Sequence, residues 1–366
     1  MVYKAIGMMS GSSLDGVDMA FAEFRENAGK WEYQILQADC FSYSSEWVNR
    51  LKNATGISAL DYQLLHAEYG HYLGQLVNRF IEEYHLHYQV ALIASHGHTI
   101  FHWPLRKMTA QLGDGAAIAA KTGLPVVTDL RALDVALGGQ GAPIVPIGEK
   151  FLLGDYNFFL NLGGIANISH NAEKYIAYDV CPANRVLNML VNELGKEYDD
   201  GGKIAATGNI SLILLEKLNS LDYYKQPYPK SLANDFGTDV LYPMIRDSGY
   251  GIPDCLRTYI EHIVIQIKSS VKNILSDSGL SAQNSRLLAT GGGALNSFLI
   301  KRLSEVLKDL NVEVIVPDKT LVNFKEALIM AFMGVLRWRQ EYNVLSSVTG
   351  ASRDSIGGAL WIGQEA

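Results

Sequence analysis

Three short glycine runs stand out, each beside an apolar stretch: Gly11 with Ser12 and Ser13, Gly163 with Gly164, and Gly291 with Gly292 and Gly293. Glycine tolerates positive φ and carries no side chain, so the N–H groups of such a turn can converge on an anion. The first run adds two hydroxyls, and the second has Asn161 and Asn167 at its edges. The third lies between a strand pattern and a helix pattern, where a helix dipole favours negative charge. Phosphate is the anion this chemistry suits. A plain tight turn uses the same residues, and a single glycine pair does not separate the two readings.

Acids stand nearby. Asp15 and Asp18 follow the first run, and Asp179 closes an apolar stretch just before Pro182. A strand-end carboxylate is well placed for chemistry, although a helix N-cap or turn aspartate also fits there. "HGHTIFH" brings His96, His98 and His102 together, and an H-x-H pair can bind a metal that generates hydroxide. Strand alternation would put His96 and His98 on one face, as ordinary packing also would. Downstream only His170 and His262 remain, and His262 sits in an apolar helix pattern, which weighs against a metal-dependent hydrolase. No G-x-G-x-x-G follows the first strand and no G-x-x-x-x-G-K-[ST] occurs, so a nucleotide site would have to be built otherwise.

The elements that would position these groups alternate along the chain. "MVYKAIGMM" and "VDMAFAEF" read as strands around the first turn, and "KWEYQILQADCFSY" continues with period-2 apolar positions. From about Trp47 to Tyr88 the pattern is helical, with Leu64, Leu65, Tyr69, Leu73, Leu76, Val77, Phe80 and Ile81 on one broad face. "VALIASHG" reads as a strand with a polar tip, and "TAQLGDGAAIAAKTGLPVVTDL" as turn, helix, glycine stop and strand. The loop "ALGGQGAPIVP" is the expected crossover between domains. The second half repeats the plan: "NFFLNLGGIANISHNAEKYIAYDV" is strand, glycine turn, strand, return and strand. A long helix, "CLRTYIEHIVIQIKSSVKNILSDSG", leads to the strand "SRLLATGGG", and a helix over "ALNSFLIKRLSEVLKDL" is expected directly after the glycines. A similar motif opening each half predicts a duplicated α/β fold with a cleft between lobes.

The bulk properties agree. The 366 residues suffice for two domains, and 48% are hydrophobic, enough for a sizeable core. A net charge of −7 without like-charge blocks argues against nucleic acid or an acidic membrane as partner, so an anionic ligand must be held by local groups. Cys40, Cys181 and Cys255 form no C-x-x-C, which makes a disulfide scaffold or zinc knuckle a poor fit. No basic-then-apolar leader and no spanning apolar run is seen, so a cytoplasmic protein is expected.

Strand–turn–strand pairs with a late "ATGGGA" loop resemble the actin, sugar kinase and heat-shock ATPase superfamily. Within it the chain is similar to the anhydro-N-acetylmuramic acid kinases, through an ordered set of stretches: "MSGSSLDGVD", "ASHGHTIFHWP", "QLGDGAAIA", "DLRALDVALGGQGAPIVP", "NLGGIANIS", "DVCPAN" and "LLATGGGALN". The resemblance implies a two-lobed, actin-like (ribonuclease H-like) α/β fold around an ATP cleft. It places an N-terminal lobe over residues 1–130, with the first phosphate turn and part of the sugar site. The C-terminal lobe over 131–366 would hold the second phosphate turn, the catalytic acid and an adenosine loop. The implied reaction opens the 1,6-anhydro ring of anhydro-N-acetylmuramate with water and moves the γ-phosphoryl of ATP to O6. N-acetylmuramate 6-phosphate results, a step of peptidoglycan recycling. A homodimer is the family expectation.

By the same resemblance Asp179 is the base that activates water. Gly11, Ser12, Ser13, Leu14, Asp15, Gly16, Val17 and Asp18 form the first nucleotide-binding turn, with Asp15 favoured to hold Mg²⁺ through water. Asn161, Gly163 and Gly164 form the second, and Gly291, Gly292 and Gly293 the third. Substrate contacts fall on His96, Asp129, Arg131, Gln140 and Asn167. Arg131 suits the lactyl carboxylate or a phosphate through bidentate geometry, or else pairs with Asp134 at the surface. Three departures from the commoner family form are visible: Ser12 for Thr, His98 for Gln, and Val180-Cys181 for Thr-Gly. Cys181 would then neighbour the site, with no histidine close in sequence to ionise it. The alternatives are a kinase of another sugar or acid, and a nucleotide-gated binding ATPase of the same superfamily.

Overall fold

The structure is a computed structural model describing residues 1–363, apart from Ser12, 173–174, Pro229, 233–234 and 279–284. It divides into two compact units: residues 1–153 with 324–366, and residues 154–323. The boundaries therefore fall elsewhere than at the expected 130/131. The "ALGGQGAPIVP" loop lies inside the first unit, and the C-terminal segment returns to that unit.

In the first unit β1 (Val2–Met9), β2 (Gly16–Asn27) and β3 (Lys30–Ser42) form an antiparallel meander. β4 (Leu92–Ser95) and β7 (Val126–Thr128) add parallel to it, and β13 (Ala359–Trp361) closes the far edge antiparallel. The order is β13-β7-β4-β1-β2-β3. β1 is central, so its run from Ala5 to Met8 is buried without alternation, as expected for a strand covered on both faces. Gly7 in it is required by packing: a Cβ there would lie 1.8 Å from the Ala327 carbonyl oxygen of the helix Lys319–Trp338.

The helix Ala59–Glu83 starts at Ser58, whose hydroxyl accepts from the Asp61 N–H, and buries Leu65, Tyr69, Leu73, Leu76, Val77, Phe80 and Ile81. Leu64, expected on that face, is instead half exposed, because the buried stripe runs through its neighbour Leu65. A hairpin of β5 (His98–Trp103) and β6 (Met108–Leu112) stands apart from the main sheet. It corrects two expectations. "TAQL" is strand rather than turn, and His96 lies between β4 and β5, so it shares no strand with His98. The helix Gly115–Thr122 ends on Gly123 in the left-handed conformation, the anticipated glycine stop.

The second unit repeats the topology. β8 (Phe158–Leu162), β9 (Ile165–His170) and β10 (Ile176–Pro182) form the meander, and β11 (Ser285–Thr290) and β12 (Val312–Ile315) add parallel, in the order β10-β9-β8-β11-β12. Apart from β13, the first unit's sheet runs in the same sense: third, second and first strand of a meander, then two parallel strands. The long helix Ile252–Ser278 supplies Tyr259, Ile260, Ile263, Val264, Ile267, Val271 and Ile274 to the core. The fold is α/β with mixed sheets and an internal duplication. Among the described residues no helix is long and apolar enough to cross a membrane.

Candidate active site

In the first unit the turn between β1 and β2 is shaped differently from a glycine nest. Among its described residues Leu14 is left-handed (φ 57°), and Gly11 does not take positive φ. Ser13 donates to Asp15 Oδ1 at 2.7 Å, and the Asp15 carbonyl accepts from the Tyr43 N–H. Ser12 lies outside the described residues. Gly16 and Val17 are buried at the start of β2, where a Cβ on Gly16 would come within 2.5 Å of the Phe41 carbonyl oxygen. They carry the turn and leave the exposed chemistry to Ser13 and Asp15.

Asp18 stands in β2 between Met9 of β1 and Cys40 of β3. Burial pushes its carboxyl up to about 6, the Cys40 thiol works against this by hydrogen bonding, and the charges of Asp15 and Glu326 add to the rise. Asp15 and Asp18 offer hard oxygen donors, and a divalent cation would relieve the repulsion that Asp15 exerts on Asp18. The donor set therefore fits Mg²⁺ with Asp15 and Asp18 beside it. Glu326 was invisible to sequence reasoning, being far from the turn along the chain. At the root of the turn, the Ser10 hydroxyl bonds His98 Nδ1 at 2.8 Å and the Tyr43 hydroxyl at 2.6 Å, and Tyr43 bonds Tyr69. His98 thus braces the turn.

His96, Arg131 and the 138–141 loop form a second cluster of this unit. His96 is buried, with Nδ1 on the Gly97 carbonyl at 2.9 Å and Nε2 accepting from Arg131 Nε at 2.8 Å. Burial and the neighbouring Arg131 charge hold the imidazole down to about 3, so it is neutral. Arg131 Nη1 donates to the Gly141 carbonyl at 2.8 Å. Burial lowers the guanidinium to about 10, opposed by the Glu326 charge.

The considered Arg131–Asp134 surface pair is absent. Asp134 is fully buried and accepts from the Gly141 N–H at 2.7 Å and the Thr349 hydroxyl at 2.6 Å. It ties the loop to the C-terminal segment, and the Gln140 N–H also donates to the Thr349 carbonyl. Asp129 is exposed, holds a left-handed backbone (φ 57°) and accepts from the Thr128 hydroxyl. Aspartate is one of the few non-glycine residues that adopt this conformation readily, and it turns the chain sharply at the end of β7. With His96, His98 and His102 bonded to Arg131, Ser10 and Thr109, the H-x-H motif is committed to the fold. Among the described residues no three His, Cys, Asp or Glu side chains group as a metal cluster.

In the second unit the register lines up one row across four strands: Thr290 on β11, Asn161 on β8, Asn167 on β9 and Asp179 on β10 are successive partners. Asp179 Oδ2 accepts from the Leu232 N–H at 3.0 Å and the Ser231 hydroxyl at 3.1 Å, and its carbonyl accepts from the Tyr223 hydroxyl at 2.6 Å. Among the described residues nothing bonds Oδ1. Burial raises the carboxyl, and the two donors on Oδ2 pull it back.

A bulge between Asp179 and Cys181 shifts the register by one, so Cys181 pairs with Ala166 in the core rather than facing the side of Asn167. The expectation that Cys181 borders the site is thereby corrected. It is a core residue, and burial drives its thiol far up.

Gly163 and Gly164 have no positive φ, and their carbonyls accept the N–H groups of Asn184 and Ala183 at the start of the helix Asn184–Asn192. Asn184, from the "DVCPAN" stretch but not singled out there, also donates its amide to the Leu162 carbonyl. Of the third run only Gly291 has positive φ (80°), and a Cβ there would lie 2.5 Å from Asn161 Oδ1. Gly293 is similarly crowded by Leu162 and Asn184, while Gly292 is open. The helix expected directly after these glycines begins only at Ser297, capped by Asn296, with a short 3₁₀ turn over Gly292–Leu295 between. These glycines let β11 and β8 approach; the α-helix dipole starts beyond them.

A family model described as anhydro-N-acetylmuramic acid kinase matches residues 3–363. Among curated proteins the chain is similar to the anhydro-N-acetylmuramic acid kinase of Aliivibrio fischeri, 34% identical with 98% of this chain and 99% of that one covered. The Sulfurovum enzyme of that name is 32% identical and the Synechococcus elongatus one 33%, each over 98% of this chain and 99% of theirs. Matches of this extent span both units and every stretch that carries the site residues, and on them the chain belongs to the anhydro-N-acetylmuramic acid kinase family.

Proposed function

We propose that Asp179 is the general base of the family's reaction and that the other site residues bind and orient its two substrates. As a member of the family the chain is an ATP-dependent kinase of an anhydro amino sugar in peptidoglycan recycling. The reading rests on one observation above all: Oδ2 of Asp179 is held by two donors, and among the described residues none holds Oδ1. A partly buried carboxylate with a raised proton affinity suits that task.

Oδ1 takes a proton from water as the water oxygen bonds to the anomeric carbon. The bond from that carbon to O6 breaks, and O6 takes the γ-phosphoryl of ATP, leaving ADP. The proton then passes from Asp179 to solvent. Asn167 and Asn161, in the same row, orient the water and the sugar hydroxyls. In the first unit Ser13 and the N–H groups of its turn, and in the second unit the N–H groups of Gly163, Gly164, Gly292 and Gly293, are the groups suited to bind phosphate; the Gly291 N–H is taken by the Val322 carbonyl. Asp15 and Asp18 would hold the Mg²⁺ that accompanies ATP, whose contribution is to neutralise phosphate charge. Arg131, with Asp129 and Gln140 beside it, receives the sugar's carboxylate. Most of the rate enhancement comes from positioning and electrostatics.

The test is mass spectrometry of the product formed from ATP, Mg²⁺ and 1,6-anhydro-N-acetylmuramate in ¹⁸O-labelled water. A 6-phosphosugar carrying one ¹⁸O at the anomeric position is expected. A phosphosugar without the label would overturn hydrolytic opening, and ADP formed only with other sugars would overturn the substrate.

A further inference from the structure

We propose that His96 is a positioning residue: its Nε2 accepts the Arg131 Nε–H and so aims the outer edge of the guanidinium at the carboxylate of the sugar. The inference deepens the kinase reading above and rests on it for the identity of the ligand. Its physical basis is the way the bonds around Arg131 are distributed.

Arginine presents a planar fork of N–H donors, and a carboxylate is best met by two of them in parallel. Here Nε is taken by His96 and one Nη1 donor by the Gly141 carbonyl. The edge between the terminal nitrogens is left, and among the described residues Nη2 has no partner. Neither acceptor carries a charge. An arginine that serves only the fold is ordinarily neutralised by a carboxylate when buried, since an unpaired buried charge is costly. Around Arg131 the carboxylate best placed in sequence, Asp134, is turned away to Gly141 and Thr349. Glu326 acts on Arg131 through space, without an ion pair between them among the described residues.

His96 can play this part only as the Nδ1–H tautomer, because Nδ1 must donate to the Gly97 carbonyl while Nε2 accepts. The charged and titratable groups facing it are Arg131, His98 and His102. All are cationic when protonated, so they favour the neutral ring. Both ring nitrogens are thereby used inside the protein, and His96 itself has nothing left to offer the sugar. Its expected role as a direct substrate contact becomes an indirect one, through Arg131.

Two measurements on the full chain test this. The first is ¹⁵N NMR of histidine-labelled protein, with His96 assigned by comparison with His96→Gln. A ring that stays neutral and Nδ1-protonated from about pH 5 to about pH 8 is expected. A ring that titrates there, or carries its proton on Nε2, would overturn the proposal whatever the substrate.

The second compares 1,6-anhydro-N-acetylmuramate with 1,6-anhydro-N-acetylglucosamine, which lacks the carboxylate, using affinities from calorimetry and kcat from ADP release. His96→Leu should weaken the carboxylate sugar by about 10–100-fold, mostly in KM, leave the affinity for the other sugar unchanged, and be largely rescued in His96→Gln, whose amide oxygen can accept in place of Nε2. Equal losses for both sugars, or no rescue, would reduce His96 to a structural residue and overturn the proposal. Failure of the wild-type chain to bind the carboxylate sugar would instead overturn the substrate reading, while the NMR result still decides the His96–Arg131 bond.

Discussion

Asn167 and Asp179 are register partners on β9 and β10, and the next residue pair along β10 is displaced by a bulge. One irregular residue thus separates a polar row, with Asp179 at its end, from a core position filled by Cys181. The acid is held by its own unit: by Ser231 and Leu232 on Oδ2 and by Tyr223 on its carbonyl.

Replacing Asp179 with Asn should remove the base while keeping the shape of the side chain. We expect kcat to fall by about 10²–10⁴-fold, the range for general-base catalysis, with ATP affinity nearly unchanged. Coupled ADP release and nucleotide titration would measure the two quantities. Full turnover in this variant would remove Asp179 from the mechanism.

Ser231→Ala removes one of the two donors that offset burial at Asp179. The carboxyl should then bind its proton more tightly, and a base acts only when deprotonated. Activity is lost as pH falls through the carboxyl's pKa, so the acidic limb of the kcat/KM profile should move to higher pH. An unmoved limb would mean that the limb reports another group.

Asp18 carries the opposite consequence for stability. Its carboxyl is raised from 3.8 to about 6 in the fold, so the folded state binds the proton more tightly than the unfolded chain. Stability should therefore fall as pH rises from near 4 to near 6 and level off above. Asp18→Asn should relieve at most about 3 kcal/mol at pH 7 and little at pH 4, since each tenfold gain in proton affinity on folding corresponds to about 1.4 kcal/mol. Urea unfolding at the two pH values would show it. Equal effects at both would indicate loss of contacts rather than of charge.

Gly291→Ala and Gly292→Ala, side by side, should separate packing from a generic glycine effect. At Gly291 the extended backbone with positive φ (φ 80°, ψ 163°) is a conformation kept almost entirely to glycine and costs about 1–3 kcal/mol with a Cβ, and the new atom would also displace Asn161. We expect a lower Tm and weaker nucleotide binding for Gly291→Ala. Gly292 has open space and ordinary φ, so its variant should keep the wild-type Tm. Similar melting of the two would show that the close approach of β11 to β8 is not what requires glycine.

Much of this was readable from local pattern. Alternation and apolar runs located β1 to β4 and β8 to β11, and the 3.6-residue period located the helices Ala59–Glu83 and Ile252–Ser278, because these periodicities follow from the backbone itself. The ordered motifs named the family and pointed to Asp179. What lay beyond reach depends on which strands become neighbours. The β5–β6 hairpin was missed although its strands are neighbours in sequence, because "TAQL" is too short and too mixed in polarity to show a period-2 pattern by itself. The alignment of Thr290 with Asn161, Asn167 and Asp179 depends on register, and the inward turn of Cys181 on a single bulge. The glycines also changed meaning: composition suggested flexible nests, whereas packing assigns Gly291 and Gly293 to close approach and puts a left-handed residue of the first turn at Leu14. Burial decided the rest. Removing Asp18 and His96 from water sets their protonation, and the fold's bonds turn Arg131 toward His96 and Gly141 rather than Asp134, which no spacing along the chain encodes.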